Sequence, residues 1–262
     1  MYVAPPVVVE AQRDLWVFLR DRLLAAGLAG VPDTLDETLA HHEAWLDPRL
    51  LLAQTCGFPF VKHLRGRVRL VATPVYEAPG CDGHTMVSVI VVRAGDAPDS
   101  LAACRGLRVA INEPGSNSGY NLLRASIAPV TGGHPFFRSV LETGGHLASM
   151  EAVRQSKADL AAIDCITFDL LRRHAHERIE GLHILAETPS GPNLPFITRL
   201  ATSDDELALL RGALQAAITT PELKEARAIL GLKDVVILEE TAYDILLDHE
   251  RSAIKAGYPE LR

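Results

Sequence analysis

A chain of 262 residues, 48% hydrophobic and 23% charged, can bury the core of one large domain or of two lobes. Its net charge of −7 argues against a nucleic-acid binder, which needs a basic face, and no apolar run approaches the ~20 residues of a membrane span. A local anion site stays open, because screening limits the reach of distant carboxylates.

The N-terminus, Met-Tyr-Val-Ala-Pro-Pro-Val-Val-Val-Glu, shows no basic n-region, long apolar region or clear cleavage site. As written it predicts a cytoplasmic chain, or a periplasmic one if a leader has been trimmed. Cys56, Cys81, Cys104 and Cys165 include no CxxC pair and no zinc spacing, so free thiols are expected in a reducing compartment. After export, Cys56 and Cys81, each in a Gly-rich turn, are the pair to bridge.

In chain order, residues 10–26 carry Leu15, Trp16, Leu19, Leu23 and Leu24 at helical spacing and stop at Gly27. Residues 28–35, with Pro32, predict a short edge strand, and residues 41–46 a short helix. His41 and His42 do not share a helix face, which argues against a metal there. Leu50-Leu51-Leu52-Ala53 predicts a buried strand that runs into the polar turn Gln54-Thr55-Cys56-Gly57-Phe58-Pro59 and a helix to Leu64. Strands are expected over 68–73 and 85–93, with a Pro- and Gly-rich loop over 74–83 and a linker over 96–100.

The apolar run 107–111 predicts a strand, and Leu122, Leu123 and Ile127 a helix. Between them stand Gly115-Ser116-Asn117-Ser118-Gly119-Tyr120-Asn121. Strand, hydroxyl-rich turn and helix together suit an anion: the first N–H groups of a helix lack partners, and its dipole adds positive charge there. An N-cap needs only one such residue, and here three stand between two glycines. Asn117 at the centre excludes a nucleophile elbow, and Tyr120 after Gly119 excludes a P-loop.

A strand is expected over 136–141, and Gly144-Gly145-His146 leads into a helix through Arg154. Residues 158–163 predict a strand with Asp164 at its carboxyl end, before a helix over 167–173. Ligands of open α/β sheets collect beyond the carboxyl ends of strands. The 116–118 turn, His146 and Asp164 all take such positions. Singly, His146 reads as a structural histidine and Asp164 as an N-cap; their shared placement favours one site. The remainder predicts strands over 182–186, 196–200 and 235–238, a Pro/Gly-rich crossing over 188–195, and helices over 204–218, 221–230 and 240–255. Crossings near 96 and near 190 predict a central lobe over 95–190, inserted into an outer lobe built from 1–94 and 191–262.

Val109-Ala110-Ile111-Asn112 with Ser116-Asn117-Ser118-Gly119-Tyr120-Asn121, Phe136-Phe137, Gly145-His146-Leu147-Ala148-Ser149 and Ala158-Asp159-Leu160-Ala161-Ala162-Ile163-Asp164 together resemble a known family. It is the phosphate/phosphite/phosphonate-binding family, substrate-binding proteins of ABC transporters with a type II periplasmic-binding-protein fold. The resemblance is clearest over 50–200. It implies an α/β fold of two lobes with mixed sheets, closing over a small anionic ligand, and an ABC-transporter permease as partner. It implies no cofactor, metal or catalytic residue. It would place the oxyanion at Ser116, Asn117 and Ser118, with Gly119 and Tyr120 on the same turn, and at His146. Asp164 would lie near a cationic group of the ligand, and Gln54, Thr55 and Tyr76 would reach in from the outer lobe. Two departures stand out: Asn117 occupies the middle of a turn that is Ser-Thr-Ser-like in the family, and little sequence precedes the first helix for an initial strand. The alternatives are a cytoplasmic ligand sensor, or an enzyme on the same fold related to pyrimidine-precursor biosynthesis proteins, with Ser118, His146 and Asp164 resembling a triad.

Overall fold

The structure is a computed structural model that describes residues 2, 4–36, 39 and 41–262, with the backbone alone for His41 and Asp96. The paired reading of the His41 and His42 side chains therefore lies outside the described residues. The first helix, α1 (Pro6–Ala25), starts ahead of the expected boundary, because Pro6 occupies a first-turn position where a missing N–H costs nothing. It buries Val8, Ala11, Leu15, Leu19 and Leu23. Residues 28–35 form turns instead of the expected edge strand. Gly27 and Gly30, at φ of +81° and +73°, turn the chain out of any extended run. The short helix α2 (His41–Leu46) follows as expected.

Two sheets carry the molecule. The first is antiparallel in the order β1 (Ala53–Gln54), β11 (Phe196–Arg199), β2 (Val68–Tyr76), β12 (Leu232–Val236). β2 runs through Pro74, past the strand end expected at Thr73. It pairs with β11 over its first half and with β12 from Thr73 on, so Pro74 has one neighbouring strand, where a missing N–H is tolerated as on an edge. Against this sheet pack α7 (Asp204–Thr219) and α8 (Lys224–Leu230), and α1 packs on both. Ser203 opens α7 with a capping box, its Oγ accepting from the Glu206 N–H at 3.2 Å and its own N–H donating to Glu206 Oε2 at 2.8 Å.

The second sheet is mixed, in the order β7 (Ser139–Glu142), β6 (Arg108–Ile111), β8 (Leu160–Asp164), β5 (Ser88–Arg93), β9 (Leu182–Glu187). β6 runs parallel to β7 and β8, while β5 runs antiparallel to β8 and β9. β5 joins this sheet although its residues precede the boundary expected at 95, and the segment near 96 links β5 to β6 within the same sheet. The start of the sheet is tied by Asp159, which accepts from the Arg108 N–H at 2.8 Å, from Arg108 Nε and Nη2 at 3.0 and 2.7 Å, and from Arg93 Nη2 at 3.0 Å. The Arg108 hydrogen bonds above all hold its carboxyl well below the usual carboxylate range, against the opposing effect of burial. The helices α4 (Leu122–Thr131), α5 (His146–Arg154) and α6 (Cys165–His174) belong to this half.

A small ribbon in the order β10 (Gly191–Pro192), β4 (Thr85–Met86), β3 (Cys81–Asp82) stands between the sheets. β3 and β4 lie on the passage from β2 to β5, and β10 lies on the return from β9 to β11, so the two crossings are hydrogen-bonded to each other. The last helix, α9 (Ile245–Lys255), follows β12 of the first sheet but packs on α4 of the second half. The chain end stays there: the N–H groups of Phe136 and Phe137 donate to the Arg262 carbonyl at 2.6 and 3.0 Å.

Candidate ligand site

Beyond Ile111 the chain turns and enters α4 through a single π-helical turn, Asn117–Asn121. Ser116 is its N-cap, with Oγ accepting from the Gly119 N–H at 3.1 Å. Ser116, Asn117 and Ser118 are 4%, 3% and 3% exposed, so this helix N-terminus is sealed from bulk solvent. The Asn117 side chain is held inside, its Oδ1 accepting from Asn121 Nδ2 at 3.3 Å. Asn121 also donates to the Leu246 carbonyl at 3.1 Å and accepts from Arg124 at 2.8 Å. Gly119 has an internal reason to be glycine: a Cβ there would stand 2.6 Å from Asn112 Cγ. Asn112, at the end of β6, in turn accepts from Ser149 Oγ of α5 at 3.3 Å. Tyr120 turns into the core, where its hydroxyl accepts from the Leu261 N–H at 3.3 Å.

α5 begins at His146, and β8 hands over to α6 at Asp164. These two side chains meet Ser118. His146 Nε2 lies 2.8 Å from Ser118 Oγ and 3.2 Å from Asp164 Oδ2. Asp164 also caps α6, its Oδ1 accepting from the Thr167 N–H at 2.8 Å and its Oδ2 from the Thr167 hydroxyl. The capping role and the site role thus coexist in one carboxylate. A carboxylate only accepts, so the tautomer with the proton on Nε2 is the one that suits Asp164, and in that tautomer Ser118 Oγ accepts from the same N–H. The Ser118 hydroxyl hydrogen is left to point at something else. Burial holds the His146 imidazole below its ordinary value, with the Asp164 carboxylate and the Ala162 backbone offsetting part of the effect, so the ring is neutral at pH 7.

Gln54 and Thr55 reach the region from the first sheet, and both are tied to the second crossing. Gln54 Nε2 donates to the Leu194 carbonyl at 3.1 Å and the Thr55 N–H donates to the Pro195 carbonyl at 3.1 Å. Cys56 follows, the N-cap of α3 (Gly57–Pro59), which continues as a π-helical turn, Phe60–Leu64. α3 packs on the Asn117–Asn121 turn, so the two halves touch there, and burial pushes the Cys56 thiol up to about 11, the Asn117 backbone N–H beside it offsetting part of the effect. Tyr76 is buried, which raises its phenol, and the Gln54 side chain beside the hydroxyl offsets part of that.

Two participants escaped sequence reading. Ser88, fully buried at the start of β5, donates through Oγ to the Ser118 carbonyl at 3.0 Å; within an apolar strand it carried no signal of its own. Tyr2 packs edge-on against Tyr76, ring centroids 5.8 Å apart. Burial, then the Asp164 carboxylate, raises its phenol well above the ordinary range, and the buried hydroxyl has no hydrogen-bond partner among the described residues. No motif precedes α1, so only the fold places Tyr2 here. Among the described residues no group of three His, Cys, Asp or Glu side chains converges on a metal position, and no helix is long and apolar enough to cross a membrane.

The profile of a family described as "ABC transporter, phosphonate, periplasmic substrate-binding protein" matches residues 5–243. Among solved structures, the chain is similar to a binding protein component of an ABC phosphonate transporter from Pseudomonas aeruginosa, with 19% identity and a TM-score of 0.74, covering 92% of this chain and 82% of that one. PhnD1 from Prochlorococcus marinus, in complex with methylphosphonate, is similar at 15% identity and a TM-score of 0.74, over 96% of this chain and 95% of that one. A Xanthomonas citri protein bound to ATP is similar at 18% identity and a TM-score of 0.69, over 95% and 94%. None of the curated proteins matches. At these identities the structural likeness shows the fold, which is the two-lobed type II periplasmic-binding-protein fold. With the profile spanning nearly the whole chain, this protein belongs to the periplasmic substrate-binding proteins of ABC phosphonate transporters.

Proposed function

We propose that this protein captures a small oxyanion of the phosphonate, phosphite or phosphate type in a cleft between its lobes, and presents it to an ABC-transporter permease in the periplasm. The central lobe takes the five-stranded sheet with α4, α5, α6 and α9, and the outer lobe takes the four-stranded sheet with α1, α7 and α8. The observation that carries the reading is the Ser118 hydroxyl, which lies 2.8 Å from His146 Nε2 at a buried helix N-terminus and, with the proton on Nε2, keeps its own hydrogen to donate. Together with the Ser116 hydroxyl and those N–H groups of the turn that Ser116 and Cys56 do not take, it offers donors and partial positive charge without a buried cation. Asp164, acting on Tyr2 and Tyr76, supplies a carboxylate for an amino group carried by the ligand.

Capture without turnover fits the same geometry. In a serine–histidine–aspartate relay, serine and aspartate hold opposite ring nitrogens. Here both meet Nε2 and the buried Nδ1 has no hydrogen-bond partner among the described residues, so Asp164 does not orient the ring through the opposite nitrogen as a triad carboxylate does. Titration calorimetry with methylphosphonate, phosphite and phosphate, paired with small-angle scattering, tests the reading. One binding event per chain and a more compact protein at saturation are expected, because a ligand touching both lobes favours the closed state. Absence of binding heat with all three anions, or scattering unchanged at proven saturation, overturns it.

A further inference from the structure

We infer that Cys81 and Cys165 are a disulfide-forming pair that staples the crossing ribbon to the central lobe, and that they are oxidised by exchange with another disulfide. The inference stands apart from the phosphonate reading, since it needs no ligand.

The two sulfurs lie 3.6 Å apart although their residues are 84 positions apart in the chain. The backbone around them is already locked together: the Val87 N–H donates to the Gly80 carbonyl at 3.0 Å, and the Cys165 N–H donates to the Val87 carbonyl at 3.2 Å. The approach is close enough that a Cβ on Gly80 would stand 3.0 Å from Cys165 Cβ. A disulfide at about 2.05 Å needs the sulfurs to close by only about 1.5 Å, within the reach of side-chain rotation.

The remaining cysteines are engaged elsewhere. Cys56, the partner expected for Cys81, caps α3 beside Asn117. Cys104 is buried against the Ser100 carbonyl at 3.6 Å.

The pair is also asymmetric in a way that suits exchange. Cys165 is 2% exposed, whereas Cys81 is half-buried and is the sulfur an oxidant reaches. The hydrogen bond between the thiols lowers Cys81 and raises Cys165, giving Cys81 the thiolate character a nucleophile requires. The Cys81 thiolate attacks one sulfur of an incoming disulfide, a mixed disulfide forms, and the other half leaves as a thiolate that takes up a proton. Cys165 then loses its proton and attacks the Cys81 sulfur, expelling the second half as a thiol. The incoming disulfide is reduced to two thiols and the protein dithiol is oxidised to one disulfide. The product joins β3, on the edge of the ribbon, to the first residue of α6, next to Asp164.

The test is incubation of the folded protein with oxidised glutathione, followed by alkylation, intact mass and peptide mapping. Two of the four cysteines should become unavailable to the alkylating agent, the protein should be two hydrogens lighter, and one peptide should link positions 81 and 165. The melting temperature should rise and return with dithiothreitol. Cys81→Ser should leave every other thiol free, and Cys165→Ser should trap glutathione on Cys81. Four alkylated cysteines after treatment, a link from 56 to 81, glutathione left on Cys81 of the parent, or an oxidised protein that melts no higher would each overturn the inference.

Discussion

Ser116 and Ser118 stand two residues apart on one turn, yet their oxygens are used differently, so the two alanine variants separate the roles. Ser118 Oγ lies 2.8 Å from His146 Nε2, and the same nitrogen keeps Asp164 Oδ2 at 3.2 Å when the hydroxyl is removed. Ser118→Ala should therefore cost less than about 1 kcal/mol of folding stability. Its effect falls on the ligand: one hydrogen bond to a charged oxygen is worth about 1.5–3 kcal/mol, a weakening of roughly ten- to a hundredfold in Kd. Ser116 Oγ accepts from the Gly119 N–H at 3.1 Å, and removing that cap costs about 1 kcal/mol of stability, or about 2–4 °C in Tm for a chain of this size. Its hydroxyl hydrogen is also free, so Ser116→Ala should lose affinity for methylphosphonate as well. Calorimetry and thermal melts on the same preparations read both quantities. A Ser118→Ala protein that binds as tightly as the parent would refute the assignment of this turn to the oxyanion.

Three further outcomes follow from the geometry around the turn. Burial lowers the His146 proton affinity in the fold, so on acidification below ~6.5 the unfolded chain takes up the proton first and the parent loses stability toward the folded value; urea midpoints against pH should be flatter for His146→Gln across that window. Gly119→Ala pushes a Cβ to within 2.6 Å of Asn112 Cγ and should cost about 1–3 kcal/mol, part of it recovered in the Gly119→Ala, Asn112→Ala double variant by urea unfolding. Asp159→Asn gives up charge-assisted bonds from Arg108 and Arg93 and should cost about 2–3 kcal/mol. Because the Asp159 carboxyl is lowered in the fold, its contribution is full above ~3.9 and fades as pH falls toward the folded value, so the variant's acid unfolding should be less steep.

The site was legible where chemistry repeats locally. The small polar turn at 116–118, a histidine and an aspartate at the ends of successive strands point to one place, and the structure brings Ser118, His146 and Asp164 together there; that the turn holds an anion is the proposal. What escaped depends on long-range closure. The Cys81–Cys165 approach comes from the ladder through Val87, which no spacing encodes. Tyr120 looked like part of the turn because it is adjacent in sequence, but the π-helical turn rotates it toward Leu261. Gly119 stands on the same turn, and the space beside its Cα belongs to Asn112. The strand read over 136–141 begins later, at Ser139, because Phe136 and Phe137 give their N–H groups to the chain end and not to a neighbouring strand.

The return of α9 to α4 makes a third tether between the lobes, away from the paired crossings. Leu246 marks where it passes: its methyl groups would lie 2.7 Å from a Cβ on Gly57 and 2.4 Å from one on Gly191, while its carbonyl takes the Asn121 hydrogen bond at 3.1 Å. Two strands side by side act like a strip of cloth, free to fold and also to twist. In the closure proposed above, a third attachment off that line opposes the twist and favours a swing about one axis. The link to α9, residues 237–244, is pinned in turn: Tyr243 is fully buried, its hydroxyl lies 2.7 Å from Thr73 Oγ1 and donates to the Asn193 carbonyl at 3.1 Å, and Arg65 donates to the Glu240 carbonyl at 2.7 Å and to Asp244 Oδ1 at 2.7 Å.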